Sequence, residues 1–170
     1  MPGLPSPGLV DGAFLAARLE RRSLSFSRGC ALVRLTRAVE FSSSLRYWRP
    51  ELSAEENLRL FGACTRPHGH NYRLEVTLRG APDPITGMVV DLKDVKDLLE
   101  REVVERFDHR DLVADTPYFE KQVPTPENFA RLLHRLLATV FPSGLLDRTR
   151  LYQDPDHWVD VLSAEPESPA

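Results

Sequence analysis

Hydrophobic and polar residues alternate along two stretches of this chain. In residues 32–44, Val33, Leu35, Val39 and Phe41 fall on one side, and Arg34, Thr36 and Glu40 fall on the other. In residues 70–79, His70, Tyr72, Leu74, Val76 and Leu78 oppose Asn71, Arg73, Glu75, Thr77 and Arg79. A period of two marks a strand with one buried face, so both stretches are predicted strands. The period then lengthens. Leu92, Val95, Leu99 and Val103 form a stripe at helical spacing over 92–106, and Phe129, Leu132, Leu133, Leu136, Leu137 and Val140 form a second that runs to Phe141. Thr125-Pro126-Glu127 opens this second helix with an N-cap, a first-turn proline and a first-turn acid. Ser53-Ala54-Glu55-Glu56 has the spacing of a capping box and starts a short helix that ends near Phe61. Asp83-Pro84-Ile85-Thr86-Gly87 reads as a turn, and short strands are predicted near 147–153 and 157–162. The order strand, strand, helix, helix, strand, strand predicts an α+β domain. Its simplest packing is a four-stranded antiparallel sheet with both helices on one face, which leaves the other face to be covered by something else.

Composition narrows this picture slightly. The chain has 170 residues, 42% hydrophobic and 28% charged, which suits one domain with a real core, placed at residues 32–162. Residues 1–31 differ. Met1–Gly8 is rich in Pro and Gly, and 13–28 carries Arg18, Arg21, Arg22 and Arg28 among Ser23, Ser25 and Ser27, with Glu20 as the lone acid. That composition faintly resembles a transit peptide, but a disordered extension is the simpler expectation. The tail 163–170 is expected to be loose as well. A net charge of -3 gives no electrostatic case for nucleic acid. No apolar run approaches the roughly 20 residues that span a bilayer. Two cysteines, Cys30 and Cys64, make no disulfide framework, so a reducing cytoplasm is the expected compartment.

The candidate chemistry lies in Cys64-Thr-Arg-Pro-His68-Gly-His70-Asn-Tyr72 and in Phe107-Asp108-His109. His-x-His on a strand sends both imidazoles to one face, a geometry suited to gripping a metal. A thiol four residues earlier can lie at the rim of the same site, where a cation would favour the thiolate. Each reading has a plainer alternative. The two histidines can be strand residues without a ligand, and Asp108-His109 can simply end a helix.

Residues 33–162 resemble the 6-pyruvoyltetrahydropterin and 6-carboxytetrahydropterin synthase group. The resemblance rests on Phe41-Ser-Ser-Ser44, Leu52-Ser-x-Glu-Glu-Asn57, Phe61-Gly62-x-Cys64, His68-Gly-His-Asn-Tyr72, Asp83-Pro-x-Thr-Gly-Met88, Phe107-Asp-His109 and Pro124-Thr-x-Glu-Asn128. It implies a tunnelling fold, in which subunits join their sheets into a barrel and usually form hexamers. It also implies interface active sites that bind 7,8-dihydroneopterin triphosphate beside zinc. Residue by residue, Cys64 matches the proton-moving thiol, Asp108 and His109 a proton relay, and His68 and His70 two zinc ligands. Gln153 falls where the pterin ring is anchored. Thr125 and Glu127 fall where substrate can be positioned, although N-capping and the helix dipole account for both equally well. The Cys-x3-His-x-His spacing is similar to the carboxy-forming enzymes, and the Leu-Ser-x-Glu-Glu-Asn and Phe-Gly-x-Cys stretches to the pyruvoyl type.

Two positions depart from the pattern. The third zinc-binding histidine of the family would follow Phe-Ser-x-Ser, and here that residue is Leu45. Glu40 has the wrong parity to replace it. Zinc is therefore expected to be weakly held or absent. The second is Gln153, where the family carries a glutamate that accepts two hydrogen bonds from the pterin. Glutamine offers one donor and one acceptor, which sets donor against donor at a cost of roughly 1–3 kcal/mol. It complements instead a ring edge carrying N–H beside C=O, as in a pteridine-dione or urate-like purine. Three readings follow: a pterin synthase-type lyase, a homologue that takes a different heterocycle, and a non-catalytic subunit of an assembly. His157 is a further candidate for a remodelled site, whereas His134 reads as a helix-face residue and Cys30 as incidental.

Overall fold

The computed structural model describes residues 31–163, so the expectations for 1–30 and 164–170 lie outside the described residues. Within it the alternating stretches become β1 (Val33–Leu45) and β2 (His68–Gly80), antiparallel and in unbroken register from Val33 opposite Gly80 to Leu45 opposite His68. Between them lie α1 (Ala54–Phe61), started by the expected Ser53–Glu56 capping box, and a 3-10 turn (Gly62–Thr65). Next come α2 (Leu92–Leu99) and α3 (Glu105–Phe107), then β3 (Arg110–Asp111), α4 (Pro126–Val140), β4 (Leu146–Asp154) and β5 (His157–Leu162).

The sheet order is β3-β1-β2-β4-β5. This corrects the four-stranded, wholly antiparallel expectation: β3 is a fifth strand and runs parallel to β1, with Ser43 beside Arg110 and Ser44 beside Asp111. Two residues are too few to show alternation, so tertiary hydrogen bonds define this strand. Leu112 N–H donates to the Ser44 carbonyl at 2.8 Å and His109 N–H to that of Ser42 at 2.7 Å. The helix expected over 92–106 is also interrupted, by a π-helical segment at Glu100–Val104. Ser163, expected in the loose tail, is tied to β4 by its N–H bond to the Asp147 carbonyl at 3.0 Å.

The helices bury the apolar side of the sheet. Leu74, Val76 and Leu78 of β2 meet Val95 and Leu99 of α2, Phe107 of α3, and Phe129 and Leu133 of α4, all with no solvent exposure. The opposite side carries the polar set of the alternation, joined across strands by Arg34–Asp147, Arg73–Glu40 and Arg150–Asp160. The core thus fixes which way every other residue of β1 and β2 points, and with it the direction of the imidazoles.

Candidate functional site

His68 and His70 extend the apolar parity of β2, so they follow Tyr72 on the helix-covered side with ring centroids 5.3 and 5.8 Å apart in succession. His68 Nδ1 donates to the Arg66 carbonyl at 2.8 Å, an acceptor-only partner that places the proton on Nδ1 and leaves the Nε2 lone pair free. His70 is engaged differently. The amide nitrogen of Gln153 lies 2.7 Å from His70 Nε2, beside an irregularity in β4–β5 pairing between Tyr152 and Asp154. Partial burial is the main force holding the His70 imidazole below its ordinary pKa. The neighbouring His68 adds to this, and Asp154 opposes it.

Cys64 sits half-buried in the 3-10 turn, and its carbonyl accepts from the Tyr47 N–H at 2.7 Å. That bond turns Tyr47 into the same corner. Its ring meets His68 and Phe61 edge-on, each at 6.0 Å. Burial, then the negative potentials of Cys64 and Glu127, push the phenol up to about 12. Tyr47 thus adjoins the Cys64 backbone and the His68 ring, with Glu127 within electrostatic reach. Glu127 is exposed in the first turn of α4, and Thr125 caps that helix by accepting from the Asn128 N–H at 3.3 Å. Tyr47 is absent from the sequence-based candidates. The signal for it was parity, since it lies two residues beyond Leu45 on the line that faces the imidazoles.

Asp108 and His109 are elsewhere. They follow α3 at the β3 side of β1, where Asp108 Oδ1 accepts from the Ser42 N–H at 2.8 Å and Oδ2 accepts from His109 Nδ1 at 2.7 Å. The Ser42 amide and then His109 hold the Asp108 carboxyl below its ordinary value. His109 has a φ of 55°, the left-handed region that favours glycine, at a cost on the order of 1–3 kcal/mol. The double clamp to Ser42 sustains it. The outcome is an imidazole whose Nδ1 is fixed by a carboxylate and whose side chain is 83% exposed. Tyr47 lies beyond the end of β1, while Ser42, Ser43 and Ser44 line one open depression with His70 and His109. The partners of His109 are Asp108 and the Ser42 backbone, whereas those of Cys64 lie at Tyr47.

The metal expectation meets the same register. Directly opposite His68 and His70 stand Leu45 and Ser43. Leu45 is 1% exposed and has no donor atom, and the Ser43 hydroxyl donates to the Phe107 carbonyl at 2.7 Å. Among the described residues no three His, Cys, Asp or Glu side chains are grouped to hold a metal ion. The donor set present does not fit a catalytic zinc, which takes three protein ligands.

Set beside known proteins, residues 34–164 match the family model described as 6-pyruvoyl tetrahydropterin synthase. The chain is 43% identical over 121 residues to the 6-pyruvoyl tetrahydrobiopterin synthase of Homo sapiens, covering 70% of this chain and 83% of the human one. It is 28% identical over 148 residues to a 6-carboxy-5,6,7,8-tetrahydropterin synthase of Rickettsia bellii, covering 76% of this chain and 100% of that one. The solved structure of Caenorhabditis elegans 6-pyruvoyl tetrahydropterin synthase matches with a TM-score of 0.74 at 33% identity, covering 79% of this chain and 98% of that one.

Proposed function

We infer the function from one premise: the chain belongs to the 6-pyruvoyl tetrahydropterin synthase family, a family of lyases with the tunnelling fold. From it we propose that the protein is a cytoplasmic homo-oligomer, a hexamer by family habit. It acts on 7,8-dihydroneopterin triphosphate, whose triphosphate leaves by C–O cleavage, to form a 6-pyruvoyl-tetrahydropterin. With further C–C cleavage and release of a two-carbon aldehyde, the product is instead a 6-carboxy-tetrahydropterin.

In this proposal the chemistry is proton transfer by groups of two copies. Cys64, as its thiolate, takes a proton from a carbon of the substrate side chain. His109 of a neighbouring copy gives and takes protons through Nε2, while Asp108 holds its Nδ1–H and steadies the imidazolium. The carrying observation is the division of the site. Tyr47 joins the Cys64 backbone to the His68 ring with Glu127 within electrostatic reach, whereas a clamped, outward-facing imidazole stands at the β3 side of β1. Thr125 and Glu127 position the substrate at the start of α4, and no step is assigned to zinc.

A second reading, with a different heterocycle, is favoured by Gln153. With one N–H directed at His70, its other N–H and its carbonyl still form a donor–acceptor edge. That edge pairs with a lactam rather than with the N–H and 2-amino group of a pterin. Incubation with 7,8-dihydroneopterin triphosphate, followed by chromatography of the pterin products, tests the first reading. Turnover that vanishes in Cys64→Ala supports it. An inert wild type that binds a pteridine-dione in calorimetry, and binds neopterin about tenfold or more less tightly, would replace it with the second.

A further inference from the structure

We propose that in this chain the His68–His70 pair is a hydrogen-bonding site rather than a zinc site, because Leu45 closes the third ligand position and Gln153 occupies His70. The inference goes beyond the proposed reaction and does not depend on which heterocycle is bound.

Within one chain, the groups that flank the imidazole pair from the neighbouring strands offer no third ligand. Residues directly opposite on antiparallel strands share a face with Cβ atoms about 4.5–5.5 Å apart, so Leu45 is the closest cross-strand neighbour of His68 and presents only hydrocarbon. From the β4 side the approaching group is a carboxamide, and its N–H points at the nitrogen that would otherwise coordinate. Asp154 and His157 lie within electrostatic reach of His70, yet both are exposed at the β4–β5 turn, where Asp154 Oδ1 accepts from the Asp156 N–H at 3.0 Å. On the thiol side, the 6.0 Å contact sets the Tyr47 ring against His68. What remains is one free imidazole lone pair, on His68 Nε2, and one imidazole already partnered. Such a pair can accept from substrate hydroxyls, and the described residues of this chain give a cation there no third ligand.

The consequence is measurable without turnover. Protein purified without chelator should hold zinc well below one ion per chain, and competition with a chromophoric chelator should show weak binding. Leu45→His with Gln153→Glu should then hold one zinc per chain, with affinity raised by more than about a hundredfold. That exceeds the 10- to 100-fold that loss of a supporting hydrogen bond alone costs a metal site. Cobalt(II) should give the intense visible bands of a tetrahedral site in the double variant and not in the wild type. Since Leu45 is packed, Gln153→Glu alone, at a half-buried position, keeps the test available if the double variant does not fold; it should gain about tenfold. Stoichiometric zinc in the wild type that survives chelator dialysis and is lost in His68→Ala would overturn the proposal. Folded variants that gain no zinc would overturn it equally.

Discussion

The two sides of β1 solve different problems. Toward β2, the thiol and the imidazole pair are half-buried, and their neighbours are side chains: Tyr47 against His68, Gln153 against His70, Leu45 across the strand pair. Toward β3, Asp108 and His109 are held almost wholly by backbone, the N–H and C=O of Ser42, and the imidazole is exposed. The first region can change character by single substitutions, and Leu45 and Gln153 are such changes relative to the pattern it resembles. The second cannot drift as readily, because a main-chain clamp is indifferent to which side chain Ser42 carries. Side-chain networks carry the specificity, and the backbone clamp preserves the proton-transfer group.

The contrast sets an order of effects. Cys64→Ala and His109→Ala should each lower turnover by about 10²–10⁴-fold with little change in folding, as measured by steady-state rates and thermal melts. Equal activity in either variant would remove that residue from the chemistry. Asp108→Asn keeps the shape but loses the charge that steadies the imidazolium. It should cost about 10²-fold in kcat with KM nearly unchanged, and the basic limb of the pH–rate profile should move. Tyr47→Phe deletes only the hydroxyl in the side-chain-built region. A loss of about tenfold or less is expected, read as kcat/KM, with melting temperature unchanged.

The smallest effect lies outside both regions and serves as their control. His134 on α4 meets the Thr149 hydroxyl at 2.9 Å, and burial holds its pKa below the ordinary value. The neutral form is thus favoured by folding. The contribution is complete above the unfolded pKa of about 6.5 and falls as pH drops from there toward the lowered native value, because the unfolded chain binds the proton first. His134→Gln should flatten this acid-side loss in urea melts, at a cost of about 1 kcal/mol at neutral pH for the hydrogen bond. Activity per folded molecule should not change.

Much of this was legible in the chain. Strict alternation fixed β1 and β2 and the common face of His68, His70 and Leu45, because a buried face leaves no freedom of register. Ser53 and Thr125 marked two helix starts through side-chain caps that are local by nature. Local pattern could not reveal what tertiary contact alone decides. β3 exists only by bonds to Ser42 and Ser44, the π-helical segment interrupts an unbroken apolar stripe, and Gln153 meets His70 from 83 residues away. Tyr47 was visible by parity but lay just past the end of the strand, where parity is usually no longer read.

The most direct test of the divided site is complementation. Cys64→Ala and His109→Ala proteins, each inactive alone, are unfolded together, refolded as mixed oligomers and assayed for turnover of 7,8-dihydroneopterin triphosphate. If thiol and relay come from different copies, the mixture regains a clear fraction of wild-type activity, because some interfaces pair an intact Cys64 with an intact His109. A mixture that is verified as mixed by mass spectrometry and stays as inactive as its parents would contradict the account.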